Sequence, residues 1–226
     1  MKTIPTTLVL ILLSAAGLAA ETRKLTLRAY LHDPVKPRGT EFSVEGDAKQ
    51  SLPLRVGAIS SAVEVAVTDG ELRLQLADGK RAALAKVPGE WSSAIAIILP
   101  GATKDATPPY RVLLLDDSTK GFPWGSSQAV NLLSIDSAIQ AGEHKLILQA
   151  GKTTAVPAVH KVNEFNIAQT NFHYKQGEQW VPFTERQLQY VDEMRRVFLI
   201  HATPGSQRPF VTTLVDHKPQ ELLDKN

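Results

Sequence analysis

The stretch VEVAVTDGELRLQLADGKRAAL, residues 63–84, constrains the fold more than any other part of this sequence. Apolar and polar residues alternate in it, which is the pattern of a strand with one buried face. Asp69-Gly70 and Asp78-Gly79 interrupt the alternation, and Asp-Gly suits the positive φ angles of a type I′ turn. The stretch therefore predicts two successive hairpins, a β-meander, with one buried face formed by Leu72, Leu74 and Leu76.

The same period-two pattern recurs along most of the chain. Near the start, Leu25, Leu27, Ala29 and Leu31 alternate with polar or aromatic residues. Later apolar segments are short and are separated by turn formers at a spacing of roughly 8 to 12 residues, which is typical of a sandwich or barrel. We therefore predict an all-β protein, an antiparallel β-sandwich of two lobes, with little helix after the N-terminal segment.

One segment allows two interpretations. TERQLQYVDEMRR, residues 184–196, begins with a residue that could cap a helix, Thr184, followed by Gln187 in the position of a capping box. Leu188 and Tyr190 alternate with glutamines, however, which is the pattern of a strand. We favour a strand that ends in a turn.

The division into lobes rests on a change of composition. SSAIAIILP, residues 92–100, reads as a strand buried on both faces, and residues 101–109 after it are rich in proline and polar turn formers. We predict a β-rich N-terminal lobe over 22–100, a linker over 101–109, a β-sandwich C-terminal lobe over 110–217 and a polar tail over 218–226. The alternative is that 101–109 is a long loop between strands of one sandwich.

The first 19 residues have the features of a secretory signal peptide. Lys2 precedes an apolar segment from Leu8 to Leu13, and the small residues Gly17 and Ala19 suit cleavage after Ala19, with Ala20 as the alternative. The apolar segment is shorter than the ~20 residues of a spanning helix, so we expect no transmembrane anchor. The sequence has no cysteine and so no lipid-attachment site. These features predict a bacterial periplasmic or secreted protein.

Charge and motifs favour neither a nucleic-acid binder nor an enzyme. The chain has 25 Lys and Arg against 23 Asp and Glu without a dense basic stripe, so no nucleic-acid partner is expected. GxSxG and SxxK motifs are absent, which predicts no catalytic residues. The six histidines are dispersed singly, so we predict no metal and no cofactor, although His201 and Asp216-His217 are candidates for a site assembled from distant strands.

The candidate ligand site lies in the segment DDSTKGFPWGSSQ, residues 116–128. Trp124 could stack on the apolar face of a sugar while Asp117 and Gln128 bind its hydroxyl groups. In the competing interpretation, the segment is a structural loop. Trp124 then closes the end of a core, and Asp116 or Asp117 accepts backbone amide hydrogen bonds in an Asx turn.

Several passages of the second half carry a resemblance. YRVLLLDDS, FPWGSSQAVNLL, GEHKLILQAGK, RRVFLIHATPG and VTTLVDH follow one another in an order that resembles a group of secreted bacterial β-sandwich proteins without known activity. The resemblance implies a β-sandwich and an exported location, and it transfers no functional residue. Trp124 departs from the pattern, which has a smaller residue at that position.

These features together predict an exported, non-enzymatic β-sandwich protein of the cell envelope. It would bind another macromolecule, either an envelope protein or a polysaccharide, or have a structural role. A carbohydrate-binding module that uses loop tryptophans is the alternative, and a hydrolase with an unrecognised site is the third hypothesis.

Overall fold

The computed structural model describes residues 21–33, 40–45, 47–103 and 105–219. The signal peptide predicted over 1–19 and most of the tail predicted over 218–226 lie outside these residues. The described part of the chain forms strands and turns without a helix, and so contains no helix of the length and apolarity needed to cross a membrane. The all-β prediction is confirmed.

The described residues form sixteen strands in three sheets. The first sheet contains β1 (Thr22–Leu31), β2 (Phe42–Val44), β3 (Asp47–Ser51), β4 (Val63–Thr68), β5 (Glu71–Leu76), β6 (Arg81–Lys86), β7 (Ser93–Pro100) and β8 (Tyr110–Asp116). The second contains β9 (Ser127–Asn131), β12 (Thr153–Val156), β15 (Met194–His201) and β16 (Phe210–His217). The third contains β10 (Ser137–Ala141), β11 (His144–Leu148), β13 (Ile167–Gln176) and β14 (Gln179–Gln189).

The first sheet folds over on itself to make a sandwich. Its order is β3-β2-β5-β4-β1-β7-β8, with β6 also paired to β5. β4 and β5 pair at only one position, Thr68 with Glu71, so the sheet bends there into two layers. The layer β4-β1-β7-β8 faces the layer formed by β3, β2, β5 and β6 across an apolar core that includes Leu25, Leu27, Phe42, Val67, Leu72, Leu74, Ala96 and Ile98.

The predicted meander corresponds to β4, β5 and β6. Asp69 and Gly70 have φ angles of 53° and 71°, as a type I′ turn requires. The second turn differs from the prediction, because Gly79 has a positive φ of 78° but Asp78 does not. Its loop is longer than two residues, and Gly79 donates its backbone N–H to the carbonyl of Leu76.

Residues 101–109 connect two neighbouring strands of the same sheet. β7 and β8 pair antiparallel from Ala94 with Asp116 to Pro100 with Tyr110, so β8 belongs to the first sandwich. The chain passes to the other two sheets between β8 and β9, at 117–126, instead of at 101–109. The proline-rich composition that predicted a linker is equally compatible with a wide hairpin loop.

The second and third sheets form another sandwich. Their strand orders are β12-β9-β15-β16 and β11-β10-β13-β14, and their facing sides bury Ile139, Leu148, Val156, Phe172, Phe198, Ile200 and Val211. β14 covers residues 184–189 of the ambiguous segment and a turn follows before β15 begins at Met194, so the interpretation as a strand that ends in a turn is confirmed. The alternative interpretation, in which Thr184 caps a helix, is wrong, since Thr184 lies in β14 and pairs with Phe172 of β13.

The two sandwiches pack against each other, which gives four layers. The inner layers, β4-β1-β7-β8 and β12-β9-β15-β16, share an apolar contact that includes Tyr30, Ile95, Ile97, Val130, Val197, Leu199 and Leu214. β7 and β15 are therefore buried on both faces, as predicted for β7. The first and second sheets are mixed, because β1 pairs parallel to β7 and β9 pairs parallel to β15, whereas the third sheet is antiparallel throughout.

Candidate functional site

The contact between the sandwiches has different chemistry at its two ends. Arg28 and Tyr30 of β1, and His32 directly after the strand, are alternate residues that lie at this contact. β15 runs alongside and contributes Arg195 at one end and His201 at the other. The apolar contact in the middle therefore separates an arginine end from a histidine end.

At the arginine end, two arginines and two aspartates form an ion cluster, consisting of Arg28, Asp117, Arg195 and Asp216. Arg28 donates from Nη1 to Asp216 Oδ2 over 2.8 Å, and Arg195 Nε donates to the same oxygen over 2.9 Å. Arg195 also pairs with Asp117, whose Oδ1 lies 3.6 Å from Arg28 Nη1. The cluster is balanced in charge, which a buried position requires.

The guanidinium of Arg195 lies between two aromatic rings. Its central carbon is 4.5 Å from the centroid of the Phe122 ring and 4.3 Å from that of Trp124. Arg195 Nη1 donates to the carbonyl of Phe122 over 2.9 Å, and the residue is only 2% exposed. Stacking on aromatic faces is favourable for a planar cation that has been removed from water.

The structure brings together the three predicted ligand residues, Trp124, Asp117 and Gln128, and shows each in an intramolecular contact. Trp124 is half-buried against Arg195, and Asp117 is ion-paired in the cluster. Gln128 Nε2 donates to the carbonyl of Gly121 over 3.3 Å. These contacts are those of the structural interpretation of the loop.

The start of the loop has the predicted turn geometry. Leu114 faces the core of the first sandwich, whereas Leu113 and Leu115 face the contact between the sandwiches. Asp116 Oδ1 accepts the backbone N–H of Ser118 over 2.9 Å, which is an Asx turn. Asp116 therefore shapes the loop, while its neighbour Asp117 holds Arg195.

The pKa values of the two aspartates in the ion cluster are shifted in opposite directions. Burial opposes the charge of Asp216, but hydrogen bonds from Arg28 and Arg195 outweigh it and lower the pKa of this carboxyl. For Asp117, burial is the larger effect and raises the pKa despite the attraction of Arg195 and Arg28. Asp216 is thus the more firmly ionised member.

At the histidine end, the two sandwiches leave an open cleft of about 670 Å³, which we call the inter-sandwich cleft. The rings of His32 and His201 meet edge to face in its wall, with centroids 4.3 Å apart. His201 Nε2 is 3.0 Å from Thr212 Oγ1. The cleft is lined by Tyr30, Leu31, His32, Asp33, Thr40, Glu41, Ser51, Leu52, Pro53, Leu54, Arg55, Val56, Gly57, His201 and Thr212.

Both imidazoles are held neutral at pH 7. Burial, together with the repulsion that a charged His201 would exert, lowers the pKa of His32 to about 4. Burial also lowers the pKa of His201. A neutral imidazole can donate one hydrogen bond and accept another, so the cleft combines apolar side chains with uncharged polar groups, and Asp33, Glu41 and Arg55 add charged groups to its lining.

The residues proposed for a metal site do not converge. His201 lies at the cleft, Asp216 lies in the ion cluster at the other end of the contact, and His217 is exposed. Within the described residues, no three side chains of His, Asp or Glu are grouped so as to hold a metal ion.

Sequence reasoning did not find the His32–His201 pair. His32 directly follows β1 and His201 ends β15. These strands lie in different sheets, so the two residues become neighbours only when the sandwiches pack. One signal was present: Tyr30 stands on the side of β1 that carries the polar residues. An aromatic residue on that side indicates that the second face is also covered.

No known protein-family model matches this chain, and no curated protein matches its sequence.

Proposed function

We propose that this protein is an exported, non-enzymatic binding protein of the bacterial cell envelope that takes a segment of another envelope protein into the inter-sandwich cleft. The observation that carries the proposal is the cleft itself. Its volume of about 670 Å³ lies within the ~300–1,000 Å³ of ligand pockets, and such pockets occur preferentially where domains meet. Its wall combines leucines with a few polar groups, which is the composition of binding sites.

The chemistry of the wall favours a peptide segment. Leu54 offers an apolar surface to a side chain, while the His32 imidazole and the Thr212 hydroxyl offer hydrogen bonds to backbone groups. Val56, on the turn closed by the pairing of Arg55 with Ala58, is 70% exposed beside the cleft. The apolar surface of the cleft thus includes a side chain that is open to solvent, which a macromolecular partner would cover.

The ion cluster supports the proposal by fixing the two sandwiches relative to each other. Arg28 of the first sandwich binds Asp216 of the second, so the walls of the cleft are held without a partner. A preformed site loses less conformational freedom on binding. Export is supported by the predicted signal peptide over 1–19.

Site-specific photo-crosslinking in the producing bacterium tests the proposal. A photoreactive residue replaces Val56 beside the cleft or, as the control, Leu84, which is 41% exposed on β6 of the outermost layer. We expect an adduct with one envelope protein from position 56, absent from position 84 and abolished by Leu54→Arg. Adducts of equal yield from both positions, or none from position 56, would overturn the proposal.

The exported location is tested separately. Mass spectrometry of the protein purified from cell fractions should show a mature chain that begins at Ala20, or at Glu21 if cleavage follows Ala20, in the periplasm or the medium. A full-length chain in the cytoplasm would contradict the proposed location.

A further inference from the structure

A second surface on the far side of the molecule has the features of a binding site. The third sheet turns one face to the core of its sandwich and the other away from the rest of the protein. On the outer face, Ala138 pairs with Ile147 on one side and with His173 on the other. Gln140 pairs likewise with Lys145 and with Asn171. These residues form two adjacent rows across β11, β10 and β13.

A shallow groove of about 260 Å³ runs over these rows. We call it the outer-face groove and define it by Ala138, Gln140, Lys145, Ile147, His173 and Trp180. Ala138 has the smallest side chain of the set and lies between the larger Ile147 and His173. The groove owes its depth to this small residue.

Trp180 is the most accessible of the three tryptophans. It is 40% exposed on β14, next to the groove. Trp91, in contrast, packs against the core of the first sandwich, and Trp124 stacks on Arg195. An exposed tryptophan ring beside hydrogen-bonding side chains can lie against the apolar face of a pyranose while those side chains bind the hydroxyl groups.

The charges at the groove restrict the kind of sugar. The lining includes the ammonium of Lys145 and the imidazole of His173 but no carboxylate. On this side of the sheet, Lys175 pairs with Trp180 and adds a further cation next to the groove, whereas the carboxylate of Glu185, opposite Asn171, lies farther along β14. The groove thus presents positive charge next to an aromatic ring and the amide of Gln140, which complements a sugar that carries a carboxylate.

We propose that the outer-face groove binds an acidic polysaccharide built of uronic acids. One pyranose ring stacks on Trp180, its hydroxyl groups bind Gln140 and His173, and its carboxylate pairs with Lys145. This site is separate from the inter-sandwich cleft and takes a different kind of partner, so either proposal can fail without the other.

Affinity electrophoresis in native gels tests the groove. The mature protein is run in gels that contain alginate or polygalacturonate, both uronic acid polymers, or neutral dextran. Two variants probe the groove, Trp180→Ala and Lys145→Gln. Each has a matched control: Phe165→Ala removes another exposed aromatic residue, 63% exposed, and Lys152→Gln removes the same charge from an exposed turn.

We expect at least one uronate polymer, but not dextran, to retard the wild-type protein. Trp180→Ala and Lys145→Gln should each weaken this binding by about tenfold, whereas both controls and the cleft variant Leu54→Arg should bind as the wild type does. Thermal unfolding verifies that the variants are folded. If Trp180→Ala is not folded, Trp180→Gln, which also removes the ring but keeps a longer polar side chain, takes its place. The proposal is overturned by a lack of retardation in both uronate gels, by equal retardation in dextran, or by control variants that lose as much binding as the groove variants.

Discussion

Arg28 and Asp216 form a two-point salt bridge although 188 residues separate them in sequence. Arg28 comes from the first strand of the first sandwich and Asp216 from the last strand of the second. Asp216 also accepts a hydrogen bond from Arg195, so one carboxylate neutralises part of both arginines. The relative position of the sandwiches, and with it the cleft at the other end of the contact, depends on this group.

Asp216→Asn should strongly destabilise the protein. The change leaves Arg28 and the buried Arg195 with only Asp117 as a carboxylate partner, and the loss of one partner from a buried ion pair costs about 3–5 kcal/mol. We expect the free energy of unfolding, measured with urea at pH 7, to fall by an amount near the lower end of this range, because Arg28 is partly accessible. Glu64→Gln, which breaks the exposed pair with Lys24, should leave the midpoint unchanged and serves as the control.

Trp124→Ala should lower stability by about 3 kcal/mol, since it removes a half-buried ring and one of the two faces against which Arg195 packs. Trp124→Phe should retain part of this stacking. The thermal unfolding temperatures of both variants are compared with that of Trp180→Ala, which removes an exposed ring. A Trp124→Ala protein that unfolds at the wild-type temperature would return this loop to the candidate ligand sites.

His32 makes stability depend on pH. Its pKa is about 4 in the folded protein and ~6.5 in an unfolded chain. As pH falls below that of the unfolded imidazole, the unfolded state takes up a proton that the folded state does not, so acid favours unfolding. The loss of stability between pH 7 and pH 4 should reach about 3 kcal/mol.

Urea unfolding across this pH range, on the wild type and on His32→Gln, measures the effect. His201, Asp33 and Glu41 also lie near His32, so the difference between the two curves isolates its contribution. His160→Gln, at an exposed position, should follow the wild-type curve. Parallel curves for the wild type and His32→Gln would show that the folded pKa of His32 is not lowered.

Gly121→Ala tests the Asx turn at the start of the loop. A Cβ atom at this position would overlap the Asp116 carboxylate that accepts the Ser118 N–H. We expect the overlap to lower the free energy of unfolding by about 1–3 kcal/mol. Gly89→Ala is the matched control, because a Cβ there meets no atom within 4 Å.

A double-mutant cycle separates the overlap from a general cost of the substitution. Asp116→Ala should lose about 0.5–2 kcal/mol through the turn hydrogen bond. In that background Gly121→Ala should cost less, because the carboxylate is gone and only the Cβ of residue 116, 2.7 Å from the added atom, still overlaps it. Additive losses in the unfolding free energy would contradict the predicted contact.

The features of the fold that were predicted correctly are those that depend on residues close together in the sequence. Alternation gave the faces of β1 and β5, Asp69-Gly70 gave the first hairpin turn, and the run of apolar residues in β7 gave its burial on both faces. The candidate loop was also located, with Asp116 in its turn. Each of these features is fixed by local backbone preferences and by side-chain periodicity.

The pairing of strands distant in sequence could not be predicted in this way. Residues 101–109 have the composition of a linker, yet the hydrogen bonds between β7 and β8 keep both strands in one sheet. The parallel pairing of β1 with β7 has no local signal, because the intervening strands lie partly in another layer. The inter-sandwich cleft and the ion cluster follow from these long-range pairings, so they appeared only in the structure.

The burial of β7 and β15 on both faces sets the size of the unit that can fold. A fragment that ended before β9 would leave Ile95, Ile97 and Leu99 against water, and a fragment that began at β9 would do the same to Val197 and Leu199. Each half would expose a large apolar surface of the kind that leads to aggregation. The smallest piece of this chain that can be excised, fused to another protein or exchanged with a relative is therefore the complete stack of four layers.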